Sequence, residues 1–355
     1  MSYLFLFLAA FAIAFFLVPL IRHFVIKAKM LDVPTLRSSH SLPTPRGGGL
    51  AIVFSFFAVF IIFYFRQHFS TDLLFAFLGS GLIVAAVGFA DDRLKVSARY
   101  RIFVHLFAAV WALFFLGGFL QYDLFSLAGL IKGIFWLVSV VWVVNMYNFM
   151  DGIDSLAASE SVFVGFASAV MLYVGGDYIL AMIVMLLAMS SLGFLFWNLP
   201  PAKIFMGDVG SGFLGICIGV LALASIMKGT ISVWVWVILL GSFLSDSIIT
   251  LGRRILRGEK CYIAHRSHAY QHAAHKLGSH GKISAWISAI NLFWLFPCAF
   301  AANYWNSLAI LLVFIAYIPL IYIIFKFDAG LEKDLYRHEV EGLNSVLERG
   351  SNARE

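Results

Sequence analysis

The sequence predicts an all-α protein that crosses a membrane about eleven times. Of its 355 residues, 62% are hydrophobic and only 12% are charged, and the mean hydropathy is +0.92. A soluble domain carries about 25% charged residues and could not bury so much apolar surface. The chain also contains repeated apolar runs close to the roughly 20 residues that a membrane-spanning helix needs. Finally, the basic residues collect in alternate connections between these runs.

The apolar runs give eleven predicted spans. They lie at residues 3–21, 47–65, 73–90, 102–121, 127–148, 156–174, 178–197, 205–228, 232–251, 285–303 and 306–325. Only a short polar break at residues 121–123 separates the fourth span from the fifth, and residues 303–306 separate the last two. Ten spans are therefore the alternative. The first run has no basic segment before it, so we interpret it as a retained helix and not a cleaved signal peptide.

The basic residues predict the orientation. Of the 25 Lys and Arg residues, all but Arg66, Lys132 and Lys228 fall in alternate connections and the tail. These ranges are residues 22–46, 91–101, 149–155, 198–204, 252–284 and 326–355. Basic connections remain in the cytoplasm, so the N-terminus is expected in the periplasm and the C-terminus in the cytoplasm. Residues 1–325 form the predicted transmembrane domain, and residues 326–355 a short cytoplasmic tail.

Acidic residues collect at the predicted cytoplasmic ends of the spans. A charged side chain inside the hydrocarbon costs about 2.5–3.5 kcal/mol, so these carboxylates either mark a boundary or serve a function. Asp91 and Asp92 end the third span, and Asp246 lies near the inner end of the ninth. Adjacent carboxylates raise one pKa unless a cation is close, and Lys95, Arg93 or a divalent metal could supply the charge. A polar end to the helix is the alternative.

Two further motifs carry carboxylates. Asn145, Asn148, Asp151 and Asp154 follow the fifth span, where Gly152 lets the chain turn both carboxylates into one site. A solvated loop is the alternative. Gly207 and Asp208 open the eighth span in a glycine-rich stretch, and free amides at a helix start favour phosphate. Carboxylate oxygen is the ligand that Mg2+ prefers, whereas small-residue helix packing would explain the glycines alone.

Basic and histidine-rich connections complete the predicted site. The first inner connection is rich in proline and glycine, and its Arg37 and Arg46 are suited to phosphate. The last inner connection contains His265, Arg266 and His268. Lipid attraction or topology alone would also explain such basic loops. Zinc is disfavoured because the apparent partners are hard carboxylates, and Cys217, Cys261 and Cys298 lack the spacing of a zinc site or a disulfide framework.

Taken together, these motifs resemble those of the polyprenyl-phosphate N-acetylhexosamine-1-phosphate transferase family. The matching stretches are residues 88–92, 145–157, 205–211 and the histidine-bearing loop. The chain departs from the family at Ser155, where many members have glycine, and it lacks the three consecutive histidines of peptidoglycan-type members. The stretch 265–271 is similar instead to the O-antigen branch.

The resemblance implies roles for individual residues. It implies metal binding by Asp208 and Asp92 and catalytic roles for Asp91, Asp92, Asp151, Asp154 and His268. Substrate binding is expected from Arg37, Arg46, Lys95, Asn145, Asn148, Gly207, Arg266 and His265. Mg2+ is the expected cofactor, with Mn2+ as a substitute.

The implied reaction moves an N-acetylated amino-sugar-1-phosphate from a UDP-sugar, such as UDP-GlcNAc, UDP-FucNAc or UDP-QuiNAc, to undecaprenyl phosphate in the bacterial inner membrane. It releases UMP and starts O-antigen or related envelope glycan synthesis. The lipid phosphate attacks directly, or an aspartyl-phosphate forms first. Membrane lipids are expected partners, nucleic acid is not, and a homodimer is allowed.

Three other functions remain open at this stage. They are the phospho-MurNAc-pentapeptide transferase of peptidoglycan synthesis, a secondary transporter and a lipid-scaffolding protein. Transporters place their charges near the bilayer midplane and often show repeated halves, whereas this chain has boundary charges and no visible repeat.

Overall fold

The computed structural model describes residues 3–32, 43–118, 126–259 and 265–331. The described chain is almost entirely helical, and its single small sheet pairs β1 (Leu31–Asp32) with β2 (Thr44–Pro45) in antiparallel register. The helices are α1 (Tyr3–Lys27), α2 (Gly49–Gln67), α3 (Thr71–Leu94), α4 (Ala98–Phe115), α5 (Leu127–Met150), α6 (Leu156–Val174), α7 (Tyr178–Asn198), α8 (Asp208–Met227), α9 (Val233–Leu239), α10 (Gly241–Leu256), α11 (Ala269–Leu277), α12 (His280–Ile290), α13 (Phe296–Tyr304) and α14 (Ala309–Lys326). A π-helix, Asn291–Leu295, joins α12 to α13, and a 3-10 turn, Asn306–Leu308, precedes α14.

The predicted number of spans is confirmed. In the described residues, ten helical segments are long and apolar enough to cross a membrane, and the bent pair α9–α10 makes eleven if it counts as one span. The two pairs of spans that the sequence separated only by short polar breaks are separate helices. Helix α4 is separate from α5, and the segment His280–Tyr304 is separate from Asn306–Lys326. The fold class is therefore an all-α polytopic membrane protein.

Two spans differ from a straight helix. The ninth predicted span, residues 232–251, consists of α9 and α10, which are bent by 82° at Leu240. The tenth continues from α12 through the π-helix into α13, so its hydrogen-bond ladder shifts at Asn291. Hydropathy records only apolar length, and therefore a run of apolar residues cannot reveal where its helix breaks.

Helix α8 forms the centre of the bundle. Of its most apolar stretch, 89% is buried inside the protein, compared with 22% for the segment ending in α14. Helices α3 and α5 pack along it, and α6 and α7 pack against each other beside it. Small residues make this possible, since a Cβ at Gly215 would lie 2.6 Å from the Cα of Val144. Membrane helices use small residues in this way to bring backbones together.

Contacts between connections gather the polar residues at one end of the bundle, called here the site end. Arg46 before α2 reaches Asp92 in the last turn of α3 and Asp208 at the start of α8. The Ala202 amide, after α7, donates to Asp154 before α6. Tyr270 in α11 donates its hydroxyl to the carbonyl of Phe149 in α5. These are the ends that the basic residues predict to be cytoplasmic.

Candidate functional site

Asp92 fixes the first turn of α8. Its Oδ1 accepts a hydrogen bond from the Asp208 amide at 2.8 Å, and its Oδ2 accepts one from the Val209 amide at 3.1 Å. Amides at a helix start lack partners within their own helix and favour a negative charge. Gly207 precedes the helix with φ +78, and a Cβ there would lie 2.5 Å from Asp92 Oδ2. Only glycine both adopts this φ freely and leaves room for the carboxylate.

Two arginines join three carboxylates into one cluster. Arg46 contacts Asp92 Oδ1 through Nε at 2.7 Å and also binds Asp208 through Nη2. Arg101, on the first turn of α4, uses a single nitrogen, Nη1, to reach Asp91 Oδ2 at 2.6 Å and Asp208 Oδ2 at 2.7 Å. We call these five residues, Asp91, Asp92, Asp208, Arg46 and Arg101, the carboxylate–arginine cluster. Asp208 lies at its centre, since both arginines bind it.

The charges of this cluster shift the pKa values of one of its members, Arg46, and of a neighbour, Asp151. Burial by itself would lower the pKa of Arg46, but the carboxylates of Asp208 and Asp92 outweigh that effect and raise it above its ordinary value. Asp151, half-buried just after α5, has a pKa well above its ordinary value because burial disfavours its charge. The charges of Asp208 and Asp92 raise this pKa further, while Arg46 opposes the rise. Asp151 therefore belongs electrostatically to the same site.

The donor set fits a magnesium ion held mainly by substrate and water. Because Arg101 Nη1 bonds oxygens of both Asp91 and Asp208, these two carboxylates lie close together at the site end. In the described residues, no group of three or more His, Cys, Asp or Glu side chains has the arrangement of a complete metal site. Mg2+ usually takes one or two carboxylates and completes its octahedron with water and phosphate oxygens. Asp208, with Asp91 or Asp92 beside it, is suited to that role; each oxygen of Asp208 also bonds an arginine, and each oxygen of Asp92 also bonds an α8 amide.

The asparagines and Asp154 fall into three different settings. Asn148 Nδ2 donates to Ser211 Oγ at 3.3 Å, which brings it beside the first turn of α8. Asn145 Nδ2 instead donates to the Val141 carbonyl of its own helix. Asp154 accepts from the Ala202 amide at 3.1 Å and lies 3.3 Å from His280 Nδ1. The structure therefore brings Asn148 to the carboxylate–arginine cluster, whereas the Asp154 carboxylate fastens two connections beside it.

A second polar group lies against the end of α5. Asp246 of α10 accepts from the amides of Ala269 and Tyr270 at 3.0 and 3.1 Å, and it lies 3.1 Å from His268 Nδ1. His268 is buried, and its ring stacks on Phe149 at 6.3 Å between centroids. A Cβ at Gly152 would lie 2.1 Å from the Tyr270 hydroxyl. Asp246 therefore positions His268 against the turn that carries Asp151.

Of the remaining predicted substrate-binding residues, His265 and Arg266 border this second group. The pKa of His265 falls to about 3 because burial, His268 and Arg254 all disfavour its charge, so its imidazole is neutral near pH 7. Ser267 Oγ lies 2.9 Å from His265 Nδ1, and the neighbouring Arg266 is half-buried. Lys95 is exposed and ends α3 in a left-handed conformation. Arg37 lies outside the described residues.

Three site-end residues were not singled out from the sequence. Arg101 completes the cluster, and its position one short connection after Asp91 and Asp92 was the signal that could have identified it. His105 lies one turn further along α4, buried, and its Nδ1 has no hydrogen-bond partner among the described residues. Glu160 is a buried acid inside α6, and its position within an apolar span was the available signal.

Comparison with known proteins identifies relatives of the chain. The model of glycosyl transferase family 4 matches residues 74–226, which include Asp91, Asp92 and Asp208. A Bacillus subtilis protein named probable undecaprenyl-phosphate N-acetylglucosaminyl 1-phosphate transferase is 30% identical over 316 residues, covering 85% of this chain and 86% of that protein.

Two further relatives cover shorter parts of the chain. An undecaprenyl-phosphate alpha-N-acetylglucosaminyl 1-phosphate transferase of Thermotoga maritima is 32% identical over 57% of this chain and 60% of its own. A phospho-N-acetylmuramoyl-pentapeptide-transferase of Thermodesulfovibrio yellowstonii is 31% identical over 50% of this chain and 58% of its own. Relatives with two different sugar specificities therefore match the same chain.

Proposed function

The chain belongs to glycosyl transferase family 4, the polyprenyl-phosphate hexosamine-1-phosphate transferases, and on this basis we propose that it transfers a sugar-1-phosphate from a UDP-sugar to undecaprenyl phosphate. The proposed donor is a UDP-N-acetyl amino sugar, namely UDP-GlcNAc or a 6-deoxy relative such as UDP-FucNAc or UDP-QuiNAc. UMP is the second product. The lipid-linked sugar would start O-antigen or a related envelope glycan.

The carboxylate–arginine cluster is the observation that carries this proposal. Asp91, Asp92 and Asp208 come from two helices and meet two arginines at one end of the bundle. A phosphoryl transfer between two anionic substrates needs positive charge at the phosphates and little covalent chemistry from the protein. A cluster at the boundary of the spans can be reached by a water-soluble nucleotide from one side and by a lipid phosphate from the membrane.

In this proposal the arginines orient the phosphates. A guanidinium has five N–H donors in a fixed fork that suits phosphate oxygens. The contacts of Arg101 with Asp91 and Asp208 use only its Nη1. Arg46 and Arg101 would thus hold the diphosphate against Asp208 while remaining paired with the carboxylates. Asn148, beside Ser211 on the first turn of α8, would border the nucleotide.

Mg2+ is the proposed cofactor, held by Asp208 with Asp91 or Asp92. Bound there, it would neutralise charge on the diphosphate and on the departing UMP. The carboxylates would keep their places through Arg101 and through the amide bonds between Asp92 and the start of α8. Mn2+ would substitute, since it also favours oxygen ligands.

The lipid phosphate would act as the nucleophile. Its second pKa is about 6 by analogy with a phosphorylated side chain, so it is mostly dianionic near pH 7. An oxygen of this phosphate would form a bond to the β-phosphorus of the UDP-sugar as the bond to the UMP oxygen breaks. Asp91 would orient the attacking oxygen or accept its proton. Asp151 would contribute to the charge of the site, and His268, which Asp246 holds against Phe149, would contact a phosphate.

The basic residues support a cytoplasmic site in the bacterial inner membrane. Apart from three residues, all Lys and Arg residues belong by sequence to the connections predicted to be cytoplasmic and to the tail. Positive charge remains on the cytoplasmic side of the inner membrane. UDP-sugars would therefore enter from the cytoplasm.

The decisive experiment measures UMP release by the purified protein. Release should require a UDP-N-acetyl sugar, undecaprenyl phosphate and Mg2+ together, and should stop when any one is left out. Release of UMP without the lipid phosphate would identify a hydrolase. Absence of UMP release under all conditions would contradict the transferase proposal and favour transport.

The relatives supply a second candidate donor. The phospho-N-acetylmuramoyl-pentapeptide-transferase of Thermodesulfovibrio yellowstonii matches half of the chain, whereas the Bacillus subtilis N-acetylglucosaminyl relative matches 85% of it. The longer match favours the simple amino sugar. A panel of UDP-GlcNAc, UDP-FucNAc, UDP-QuiNAc and UDP-MurNAc-pentapeptide, each offered with undecaprenyl phosphate, separates these donors by the rate of UMP release.

A further inference from the structure

We infer that Glu160 is a positioning residue that holds the broken span α9–α10 and the π-helix in the arrangement the site requires. The kinetic consequences of this inference rest on the proposed function. Its structural part does not, because the hydrogen-bond partners of Glu160 in the described chain lie outside the carboxylate–arginine cluster. It concerns a buried carboxyl group for which the proposed reaction has no direct use.

Glu160 connects three segments through its side chain. It lies one turn after the start of α6 and is 1% exposed. Its Oε2 accepts a hydrogen bond from Asn291 Nδ2 at 2.5 Å, and Ser242 Oγ lies 3.2 and 3.3 Å from its two oxygens. Asn291 is also 1% exposed. We call these three residues the Glu160 cluster.

Both partners of Glu160 lie where a helix is irregular. Ser242 follows the 82° bend between α9 and α10 by two residues. Asn291 is the first residue of the π-helix. Inside a membrane, a broken helix is tolerated where it is buried in protein. Glu160 accepts from the side chains of Ser242 and Asn291, which lie at these two places, and so links both irregular segments to a regular helix.

Each of the three linked helices carries part of the site. Helix α6 starts at Leu156, two residues after Asp154, and follows the turn that contains Asp151. Helix α10 carries Asp246, which holds His268 against Phe149. Helix α12 carries His280, which pairs with the Asp154 carboxylate, and Ser284, which donates to the Asp154 carbonyl at 2.8 Å. A shift of α10 relative to α6 would therefore move His268 relative to Asp151.

Burying the carboxyl group of Glu160 inside a span costs free energy, which is explained if the group has a structural role. Acidic side chains inside spans are rare and face the protein interior, where they mark functional elements. An apolar residue could fill the same volume, but it could not accept hydrogen bonds from Ser242 and Asn291. Helix packing alone therefore does not require a carboxyl group here, whereas a fixed bend near the site does.

The test combines turnover with a distance that does not depend on turnover. Glu160→Ala removes the acceptor, and Glu160→Gln keeps the shape and one acceptor oxygen. Ser168→Ala is the matched control, since Ser168 is buried on the same helix but bonds only carbonyls of that helix, at 2.6 and 3.4 Å. Spin labels at the exposed positions Tyr173 on α6 and Leu256 at the end of α10, in a Cys261→Ser background, report the placement of α10.

We expect Glu160→Ala to broaden the distance distribution and to lower kcat by about tenfold or more, while KM for both substrates changes by less than about twofold. Glu160→Gln should recover the narrow distribution and most of the turnover, and Ser168→Ala should match the wild type. Unchanged distance and kcat in Glu160→Ala would overturn the inference. So would a narrow distribution with lost turnover in Glu160→Gln, because the carboxyl group itself would then take part in the chemistry.

A milder variant keeps the test informative if Glu160→Ala does not fold. Ser242→Ala removes one of the two donors and should broaden the distribution less, in the same direction, with a smaller loss of kcat. A wild-type distance in Ser242→Ala would then overturn the inference. If the wild-type protein releases no UMP, the proposed function fails, but the distance measurement still decides whether Glu160 holds α10 to α6.

Discussion

Carboxylates lie at both ends of the helix bundle, but their charged partners differ between the two ends. At the opposite end, Asp177 caps α7 and pairs with Lys228 at 3.0 Å, and the Lys228 side chain is 47% exposed. At the site end, Asp208 is 9% exposed and shares two arginines with Asp91 and Asp92. The Asp177 side chain is itself only 7% exposed, so the two ends differ in the number of charges that meet and not in the burial of the carboxylate. Like charges that meet in a buried site depend on every cation beside them.

The two ends therefore differ in how many charged side chains depend on one another. At the opposite end, the Asp177 carboxylate pairs with Lys228 and also caps α7, so no second carboxylate shares that lysine in the described residues. In the carboxylate–arginine cluster, the loss of one member leaves a buried charge without its partner. Four predictions test this contrast, in order of decreasing effect.

The largest effect is expected at the centre of the cluster. Asp208→Asn keeps the shape of the side chain but removes the charge that Arg46 and Arg101 share, and it weakens the proposed metal site. We expect UMP release to fall by about 10²-fold or more, the scale of losing one preorganised electrostatic contact. Asp177→Asn is the control and should remain within about twofold of the wild type. Near-normal Mg2+-dependent transfer by Asp208→Asn would contradict the metal assignment.

Removing a cation should separate turnover from metal binding. In Arg101→Gln, Asp91 and Asp208 lose the positive charge between them. Their affinity for a divalent cation should rise, while turnover falls by about tenfold because the phosphates lose a donor. Mn2+ binding followed by electron paramagnetic resonance, together with the Mg2+ dependence of UMP release, measures both effects. Lys228→Gln should change neither, and weaker Mn2+ binding by Arg101→Gln would argue against a shared site.

Two glycines with positive φ offer a matched comparison of the two ends. Gly207 has φ +78 and faces Asp92, whereas Gly176 at the opposite end has φ +85, and a Cβ there would meet no described atom within 4 Å. Alanine at either position should cost about 1 kcal/mol of backbone strain. Only Gly207→Ala should also lower activity, by about tenfold, because the added methyl group displaces Asp92 from the start of α8. Thermal unfolding and UMP release, measured on both variants, separate strain from function, and equal activities would contradict this.

The smallest effect concerns stability at acid pH. Burial lowers the pKa of His265 to about 3 in the folded protein, against an ordinary value near 6.5. The unfolded chain therefore binds this proton more readily, and the stability contributed by neutral His265 is lost as pH falls from about 6.5 towards 3. Between pH 7.5 and 5, the melting temperature of His265→Gln should fall less than that of the wild type. If the melting temperatures of both proteins fell by the same amount between pH 7.5 and 5, His265 would be hydrated in the folded protein.

The sequence determined the fold class and much of the site. Apolar length alone fixed eleven spans, because the hydrocarbon thickness sets the length of a helix whatever its neighbours are. The order of Asp91, Asp151 and Asp208 at alternate span ends brought them to one side, since each span reverses the direction of the chain. The roles predicted for these residues, for Asp154 and for His268 remain predictions until they are tested.

Tertiary structure decided which charges meet. Asp92 bonds amides at Asp208 and Val209, more than a hundred positions along the chain, and Arg101 joins two carboxylates that no local pattern connects. The 82° bend of α9–α10 and the link from Glu160 to Asn291 were equally invisible in the apolar pattern. Composition and period report how each segment partitions between lipid and water. Hydrogen bonds and ion pairs depend on atoms within about 3 Å, and only the packing of α3, α4 and α8 brings those atoms together.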